Sequence, residues 1–245
     1  MRVDVLTLFP DMLEAVLGDS IIGRAREKGI LELNFIDIRD YTENKHRKVD
    51  DYPFGGGGGM LMQAQPVFDA YMSVARDLDY KPFTIFMSPQ GEVLSQKTVI
   101  DLSQKEHIVI LCGHYEGVDQ RVLDEIVDME ISLGDFVLTG GEIAAMAVID
   151  ATARLIPGVL AGEGSYTNES HFNGLLEHPQ YTRPDTWRGM GVPDVLLSGH
   201  HANIEKWKRE KSLENTYKKR PDMLDLAELS KEDLNILDRI KKEVK

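Results

Sequence analysis

Three glycine-bearing turns follow apolar runs within one stretch of the chain, and they are the residues best suited to binding chemistry. They lie at residues 107–113, 131–135 and 136–142. Glycine turns expose backbone N–H and C=O groups, which can contact the edge of an adenine while apolar strand ends cover its face. Because open α/β sheets bind ligands at the carboxyl ends of their strands, we expect the three turns to form one ligand-binding rim.

Several other chemistries lack their signatures. The sequence contains no G-x-S-x-G, no H-E-x-x-H, and no G-x-G-x-x-G after a strand. The single cysteine, Cys112, ends an apolar run and is interpreted as a small buried hydrophobe, not as a nucleophile. The neighbours His200 and His201 cannot converge on a metal as ligands four residues apart on a helix do, so hydrogen-bonded or exposed histidines are expected.

The elements that must position the rim begin with a β-α-β pattern, which predicts an α/β fold with a parallel sheet. The predicted strands are residues 3–9, 31–38, 83–87 and 107–112, and the predicted helices are 10–17, 20–29, 66–78, 95–102 and 142–156. Residues 88–91 form a predicted turn that exposes backbone groups. The helix from Glu142 is apolar enough to be largely buried, with Arg154 as the exception.

A long polar loop at residues 40–51 leads into Pro53–Met60, which contains five consecutive glycines. By composition alone such a run is a flexible linker. Its apolar flanks, however, can anchor both ends against a core, and an anchored backbone-only loop can lie flat against a nucleotide or base. The run lacks the Lys-Ser/Thr ending of a phosphate-binding P-loop.

The chain also divides into two predicted domains. Pro157 and Gly158 break the buried helix, and residues 161–168 are the best candidate linker. Beyond them the pattern is mostly helical, at residues 203–217 and near 224–229. A final helix is capped by Ser230, with Asp233 three residues on in the manner of a capping box.

Composition restricts the class of protein. The chain has 245 residues and a net charge of −13, which argues against non-specific binding of nucleic acid. Basic residues at 45–48 and 206–220 give a weak indication of a local RNA surface. No apolar run reaches the roughly 18 residues of a membrane helix, and the amino terminus does not resemble a signal peptide. We therefore expect a cytoplasmic protein.

Six motifs, in order along essentially the whole chain, carry a family resemblance. They are Pro53–Gly57, Ser88–Gly91, Cys112–Gly117, Ser132–Glu142, Arg154–Val159 and Tyr181–Pro184. Together they strongly resemble the bacterial tRNA (guanine-N1)-methyltransferases of the TrmD family, in the SPOUT superfamily. The resemblance implies a knotted methyltransferase domain over residues 1–160 that binds S-adenosylmethionine through a deep trefoil knot. It further implies a flexible linker over 161–168 and a helical tRNA-binding domain over 169–245.

The same resemblance implies a homodimer with a shared active site. The substrate would be the anticodon stem-loop of tRNA, with no DNA or membrane partner, and the product 1-methylguanosine just 3′ of the anticodon. The glycine loop and residues 45–51 would face the anticodon loop. The cofactor contacts implied are Met87, Ser88, Pro89, Gly113, Tyr115, Glu116, Gly117, Ile131, Ser132, Leu133, Gly134, Asp135, Phe136, Val137, Leu138, Gly140 and Gly141.

Two side chains carry the chemistry that the resemblance implies. Guanine N1 is a poor nucleophile until a base removes its proton, and a cation lowers the barrier by stabilising charge on O6. The family's aspartate base corresponds to Glu169, one methylene longer, and its arginine to Arg154. Glu116 and Glu177 are the next candidates for the base. With Glu169 they are also candidates to share a magnesium ion.

Three other functions stay open from the sequence. One is a SPOUT methyltransferase that acts on another RNA, such as ribosomal RNA. A second is a knotted adenosine-binding protein that regulates or chaperones RNA without methylating it. The third is a nucleotide-binding α/β domain of unrelated chemistry, which would bind NAD or ATP.

Overall fold

The computed structural model describes residues 1–162, 164–167 and 169–243. Glu163 and Asn168 of the predicted linker lie outside the described residues. The chain forms two compact units, Met1–Glu163 and Gly164–Lys245. No helix among the described residues combines the length and the apolar character needed to cross a membrane.

The first unit is an α/β fold, as predicted. Its strands are β1 Arg2–Thr7, β2 Glu32–Asp37, β3 Asp50–Asp51, β4 Leu61–Met62, β5 Phe83–Val93, β6 His107–Cys112 and β7 Met129–Ser132. Its α-helices are α1 Pro10–Leu17, α2 Ser20–Glu27, α3 Ala64–Ala75, α4 Gln96–Ser103, α5 Gln120–Ile126 and α6 Glu142–Ala153, and a 3₁₀ turn spans Ile38–Tyr41. Five strands form one parallel sheet in the order β2-β1-β6-β5-β7. β3 and β4 pair separately as an antiparallel ribbon.

The sheet is buried on both faces, which explains why β6 is a continuous apolar run. Ile108 and Ile110 point into a core cluster formed with α1, α2, α4 and α6. Val109 and Leu111 point to the opposite face, into a cluster formed with α3 and α5. We refer to these as the first and second core clusters. All six β6 residues are buried, so the strand lies at the centre of the unit.

Three local predictions were wrong. β5 continues to Val93 because residues 92–93 pair with β7 after a register shift, so the predicted turn at 88–91 lies within the strand. Residues 136–138 form no strand; Phe136, Val137 and Leu138 are exposed. The sequence predicts Ser20 as the N-cap of the second helix, but Ser20 is the first residue of α2; the N-cap is Asp19, whose carboxylate accepts a hydrogen bond from the backbone N–H of Ser20.

The second unit is mainly helical. Its elements are α7 Gly164–Thr167, β8 Thr186–Trp187, β9 Met190–Gly191, α8 Asp194–Leu197, α9 His201–Lys219, α10 Pro221–Leu224 and α11 Lys231–Glu243. A small core packs Leu175 and Leu213 against Leu237 and neighbouring residues of α11. The predicted capping box is confirmed: Ser230 N–H donates to Asp233 Oδ2 at 2.9 Å, and Asp233 N–H donates to Ser230 Oγ at 3.2 Å.

The basic run on α9 is partly neutralised by its own acids. Lys211 and Lys218 both pair with Glu214, at 2.6 and 2.5 Å. Arg209 donates two hydrogen bonds to Asp233, at 2.8 and 2.9 Å, and so ties α9 to the start of α11. Such pairs are typical of a solvated helix surface, so they do not by themselves indicate an RNA site.

Candidate active site

A cavity of about 250 Å³ lies at the carboxyl ends of β6 and β7, beside the point where β5 shifts its register after Met87. All of the predicted cofactor residues except Gly134 and Asp135 line it: Met87, Ser88, Pro89, Gly113, Tyr115, Glu116, Gly117, Ile131, Ser132, Leu133, Phe136, Val137, Leu138, Gly140 and Gly141. The sequence did not predict Phe86, His114, Thr139 and Ala144, which also line it. The three glycine-bearing segments therefore surround one cavity, as the order of the parallel strands requires.

The segment that follows β7 approaches the end of β6 more closely than side chains allow. A Cβ atom on Gly141 would lie 2.8 Å from Cys112 Cα, and one on Gly140 would overlap the His114 imidazole. Gly141 N–H donates to Gly113 C=O at 3.0 Å. These contacts explain why two glycines stand here, since only glycine permits such close backbone approach.

Beneath the rim, a buried carboxylate is held by two donors. Glu142 is 2% exposed; its Oε1 accepts from Thr7 Oγ at 2.6 Å, and its Oε2 lies 2.7 Å from His114 Nε2. Burial acts to raise the pKa of Glu142, but the hydrogen bonds from His114 and Thr7 outweigh it and lower that pKa below its ordinary value. Because a carboxylate only accepts, the proton of this pair lies on His114 Nε2.

The His114–Glu142 pair was missed as a unit because its members are 28 residues apart. The sequence did contain a signal for Glu142, however. It follows two glycines at the start of a predicted helix, and acidic residues are favoured in the first turn of a helix. Cys112 is fully buried as predicted, and burial, with the nearby Glu142 charge, raises the pKa of its thiol. A thiol of that kind is a poor nucleophile.

Arg154, one of the two predicted catalytic residues, lies away from this cavity. Arg154 is half-buried directly after the last residue of α6, and its backbone N–H donates to Asp150 C=O at 3.2 Å. α6 begins at the cavity rim, and a helix of 12 residues spans roughly 18 Å. The other end of α6 lies beside the start of β1, since Thr152 and Ala153 line a small cavity with Met1 and Val3. Arg154 is therefore at the sheet edge opposite its own cavity.

Glu169 belongs to the second unit. It is half-buried, and its backbone N–H donates to Tyr166 C=O at 3.2 Å. It lines a cleft of about 160 Å³ together with Glu177, Glu205, Lys208 and further residues of that unit. Glu116, another candidate for the base, is exposed at the cavity of the first unit.

No three histidine, cysteine, aspartate or glutamate side chains within residues 1–162, 164–167 and 169–243 are grouped so that they could hold a metal ion. The suggestion that Glu116, Glu169 and Glu177 share magnesium thus gains no support. His178 Nδ1 instead donates to Pro179 C=O at 3.1 Å, and the ring packs edge-on against Trp207.

A doubly covered parallel sheet with a glycine-rimmed cavity at its strand ends defines an α/β protein built to bind a small ligand. Residues 1–226 match the family model described as tRNA (Guanine-1)-methyltransferase TrmD. The chain therefore belongs to the tRNA (guanine-1)-methyltransferase family and is an enzyme of the methyltransferase class.

Similar proteins agree with this assignment. A protein of Ruminiclostridium cellulolyticum named tRNA (guanine-N(1)-)-methyltransferase is 60% identical over 223 residues, covering 91% of this chain and 96% of the relative. Proteins of the same name from Bacillus cereus and Bacillus anthracis are each 50% identical over 241 residues, covering 98% of this chain and 99% of the relative.

Proposed function

We propose that the protein transfers the methyl group of S-adenosylmethionine to N1 of the guanosine just 3′ of the anticodon in tRNA. The observation that carries the proposal is the described lining of the cavity, which is apolar and glycine-rich and contains no lysine or arginine. An uncharged adenosine suits such a lining. The phosphates of ATP or NAD would need positive groups or a free helix N-terminus, and the N-terminus of α6 already carries the Glu142 carboxylate.

The residues of the cavity fit the cofactor through their backbone. The turns at 113–117 and 140–141 would bind the adenosine through N–H and C=O groups, and Ile131, Leu133 and Leu138 would cover the adenine. Gly134 and Asp135 lie outside the lining and are not included in the proposed contacts. We further propose that the loops around the cavity belong to a deep trefoil knot of the SPOUT type, with the expected location in the cytoplasm.

When bound, S-adenosylmethionine supplies an electrophilic methyl group. The chain itself supplies a base and a cation: we assign Glu169 to accept the proton of guanine N1, and Arg154 to stabilise the negative charge that develops on O6. Glutamate is one methylene longer than the aspartate of the family pattern, so the carboxylate extends further from its backbone. The second unit would bind tRNA as well as supply this base.

The position of Arg154 supports a homodimer. Since Arg154 is roughly 18 Å along α6 from the rim of its own cavity, a second copy is the natural source of the arginine at each site. α1 and α6, which pack together, also expose apolar side chains: Met12 is 40%, Val16 57% and Ile143 47% exposed. Met12 and Val16 lie four residues apart and so share one helix face.

The reaction is tested by incubating the protein and labelled S-adenosylmethionine with tRNA transcripts that carry guanosine or adenosine 3′ of the anticodon. We expect 1-methylguanosine in the nucleoside digest of the guanosine transcript only. Glu169→Gln is expected to lower the rate by about 10²–10⁴-fold, as for removal of a general base. Full activity of Glu169→Gln would shift the assignment to Glu116 or Glu177. Cofactor binding without transfer to either transcript would favour another RNA or a non-catalytic role.

The shared site is tested by mixing two inactive proteins. Arg154→Ala lacks the cation, and Leu138→Trp fills the cavity. If each site combines one copy's cavity with the other copy's arginine, re-associated mixtures regain about a quarter of wild-type activity, because half of the dimers are mixed and one of their two sites is complete. If both parts belong to one copy, the mixture stays inactive.

A further inference from the structure

The glycine run forms the tip of a β-ribbon, which we call the aromatic ribbon: residues 50–62, comprising β3, the connecting residues 52–60 and β4. Asp50 pairs with Met62 and Asp51 with Leu61. At its tip, Tyr52 is 76% exposed and Phe54 101% exposed. Phe54 thus projects its entire ring into solvent and is the most exposed large apolar side chain among the described residues; such exposure marks interaction sites.

The aromatic ribbon is fixed to the cofactor cavity on one side. Glu116 N–H donates to Met60 C=O at 2.9 Å, Met62 N–H to Gly117 C=O at 2.9 Å, and Asp119 N–H to Met62 C=O at 3.0 Å. Glu116 and Gly117 both line the cavity. The returning strand of the ribbon is therefore hydrogen-bonded to the cavity wall, and Gly59, at the end of the connecting residues, lies against the Glu116 side chain.

The tip itself is open. A Cβ atom on any of Gly55, Gly56, Gly57 or Gly58 would meet no atom within 4 Å, whereas one on Gly59 would overlap the Glu116 side chain. Packing accounts for Gly59, and positive φ angles of 88°, 79° and 128° account for Gly55, Gly56 and Gly57, since this backbone region favours glycine. A run without side chains leaves flat space next to an exposed ring, as a planar ligand requires.

We propose that Tyr52 and Phe54 form a stacking surface for unpaired bases of the RNA substrate next to the methylated guanosine. Stacking on aromatic side chains is the usual way in which proteins hold splayed RNA bases. Lys45 and Lys48, exposed just before β3, form no ion pair with other described residues and can contact the phosphates of the same strand. The inference rests on the proposed function, since it assumes that the substrate is RNA.

A second copy of the chain is the less suitable occupant. The exposed apolar residues of α1 and α6 belong to helices on the first core cluster. The aromatic ribbon packs through Met62, and the preceding Val49 packs with it, into the second core cluster on the opposite face of the sheet. The two surfaces are therefore not continuous.

The test uses the full-length protein and a tRNA transcript with 2-aminopurine beside the target guanosine. Stacking is measured by the fluorescence change on binding, and affinity by titration in the presence of S-adenosylhomocysteine. Phe54→Ala and Phe54→Leu are expected to weaken binding about tenfold and to reduce the fluorescence change, whereas Phe54→Trp keeps both. The leucine variant is the matched control, because it keeps an apolar side chain but has no ring.

Salt dependence separates stacking from charge contacts. The slope of log K against log salt is expected to stay unchanged in Phe54→Ala and to fall by about one in Lys48→Ala. The affinity for S-adenosylhomocysteine, measured by calorimetry, is expected to be unchanged in every Phe54 variant.

Two results would overturn the inference while the proposed function stands. The first is unchanged RNA affinity in Phe54→Ala when the wild type forms 1-methylguanosine. The second is a sedimentation result in which the wild type is a dimer and Phe54→Ala is a monomer. The second would identify another copy of the chain as the occupant. If the wild-type protein methylates neither transcript, the proposed function itself has failed.

Discussion

The buried pair of His114 and Glu142 makes a quantitative prediction about stability. In His114→Leu, the Glu142 carboxylate loses one of its two donors while it stays 2% exposed. A hydrogen bond to a charged group is worth roughly 1.5–3 kcal/mol, and the carboxylate that loses it stays buried. Thr7 still donates to Oε1 and the helix N-terminus still favours a negative charge, so the carboxylate keeps part of its stabilisation. We therefore expect a loss of about 2 kcal/mol, or about 4–8 °C in melting temperature for a unit of this size.

The source of this loss is tested by a second substitution. Glu142→Gln alone is expected to cost about 1 kcal/mol or less, because the amide can still accept from Thr7 and can donate to the other tautomer of His114. Combined with His114→Leu, it removes the unpaired charge. The double variant is therefore expected to be more stable than His114→Leu alone, which is the reverse of simple additivity.

Urea unfolding followed by circular dichroism gives the four free energies of this cycle, with S-adenosylhomocysteine absent. A loss of less than about 0.5 kcal/mol in His114→Leu, within the range of ordinary surface substitutions, would contradict this role of the pair. Further destabilisation of His114→Leu by Glu142→Gln would also contradict it, since the carboxylate would then not be the group left unsatisfied.

Other predictions concern pH and the cavity rim. Hydrogen bonds from Arg209 hold the pKa of Asp233 well below its ordinary value. The stabilisation of the folded state by ionised Asp233 is therefore complete above about pH 4 and is lost as pH falls through the folded-state pKa. The unfolding free energies of wild type and Asp233→Asn should accordingly converge from about pH 4 towards about pH 2. The lowered pKa of Glu142 has the same sign, so Glu142→Gln should flatten the acid limb of the first unit's stability. Gly140→Ala should weaken S-adenosylhomocysteine binding about tenfold or more by calorimetry, because its Cβ overlaps His114, whereas the control Gly162→Ala, which meets no atom within 4 Å, should bind as wild type.

The sequence was most informative where local rules and burial agree. β6 is apolar at every position because both faces of the sheet are covered, and Ser95 and Ser230 cap helices as their side chains predict. The glycine turns after these strands also indicated one cavity, since parallel strands end at the same edge of the sheet.

Other features depend on parts of the structure that are distant in sequence. Phe136–Leu138 has the apolar, β-branched character of a strand, but these residues border a cavity and pair with no neighbour. Asp4 stands in the middle of β1 because His107, at 2.5 Å, and Asn34, at 2.8 Å, bind its carboxylate across 103 and 30 residues of sequence. Patterns of nearest neighbours carry no information on such contacts.

The strand order also has a consequence for synthesis of the protein. β1 is made first, yet one of its two edges pairs with β6, in a register that joins Arg2 to His107. Until the ribosome has released residue 112, that edge exposes unpaired N–H and C=O groups and can pair with another nascent chain. Contacts this distant in sequence also slow folding, because a long loop must close before they form. We therefore expect the newly made chain to depend on chaperones between the emergence of β2 and that of β6.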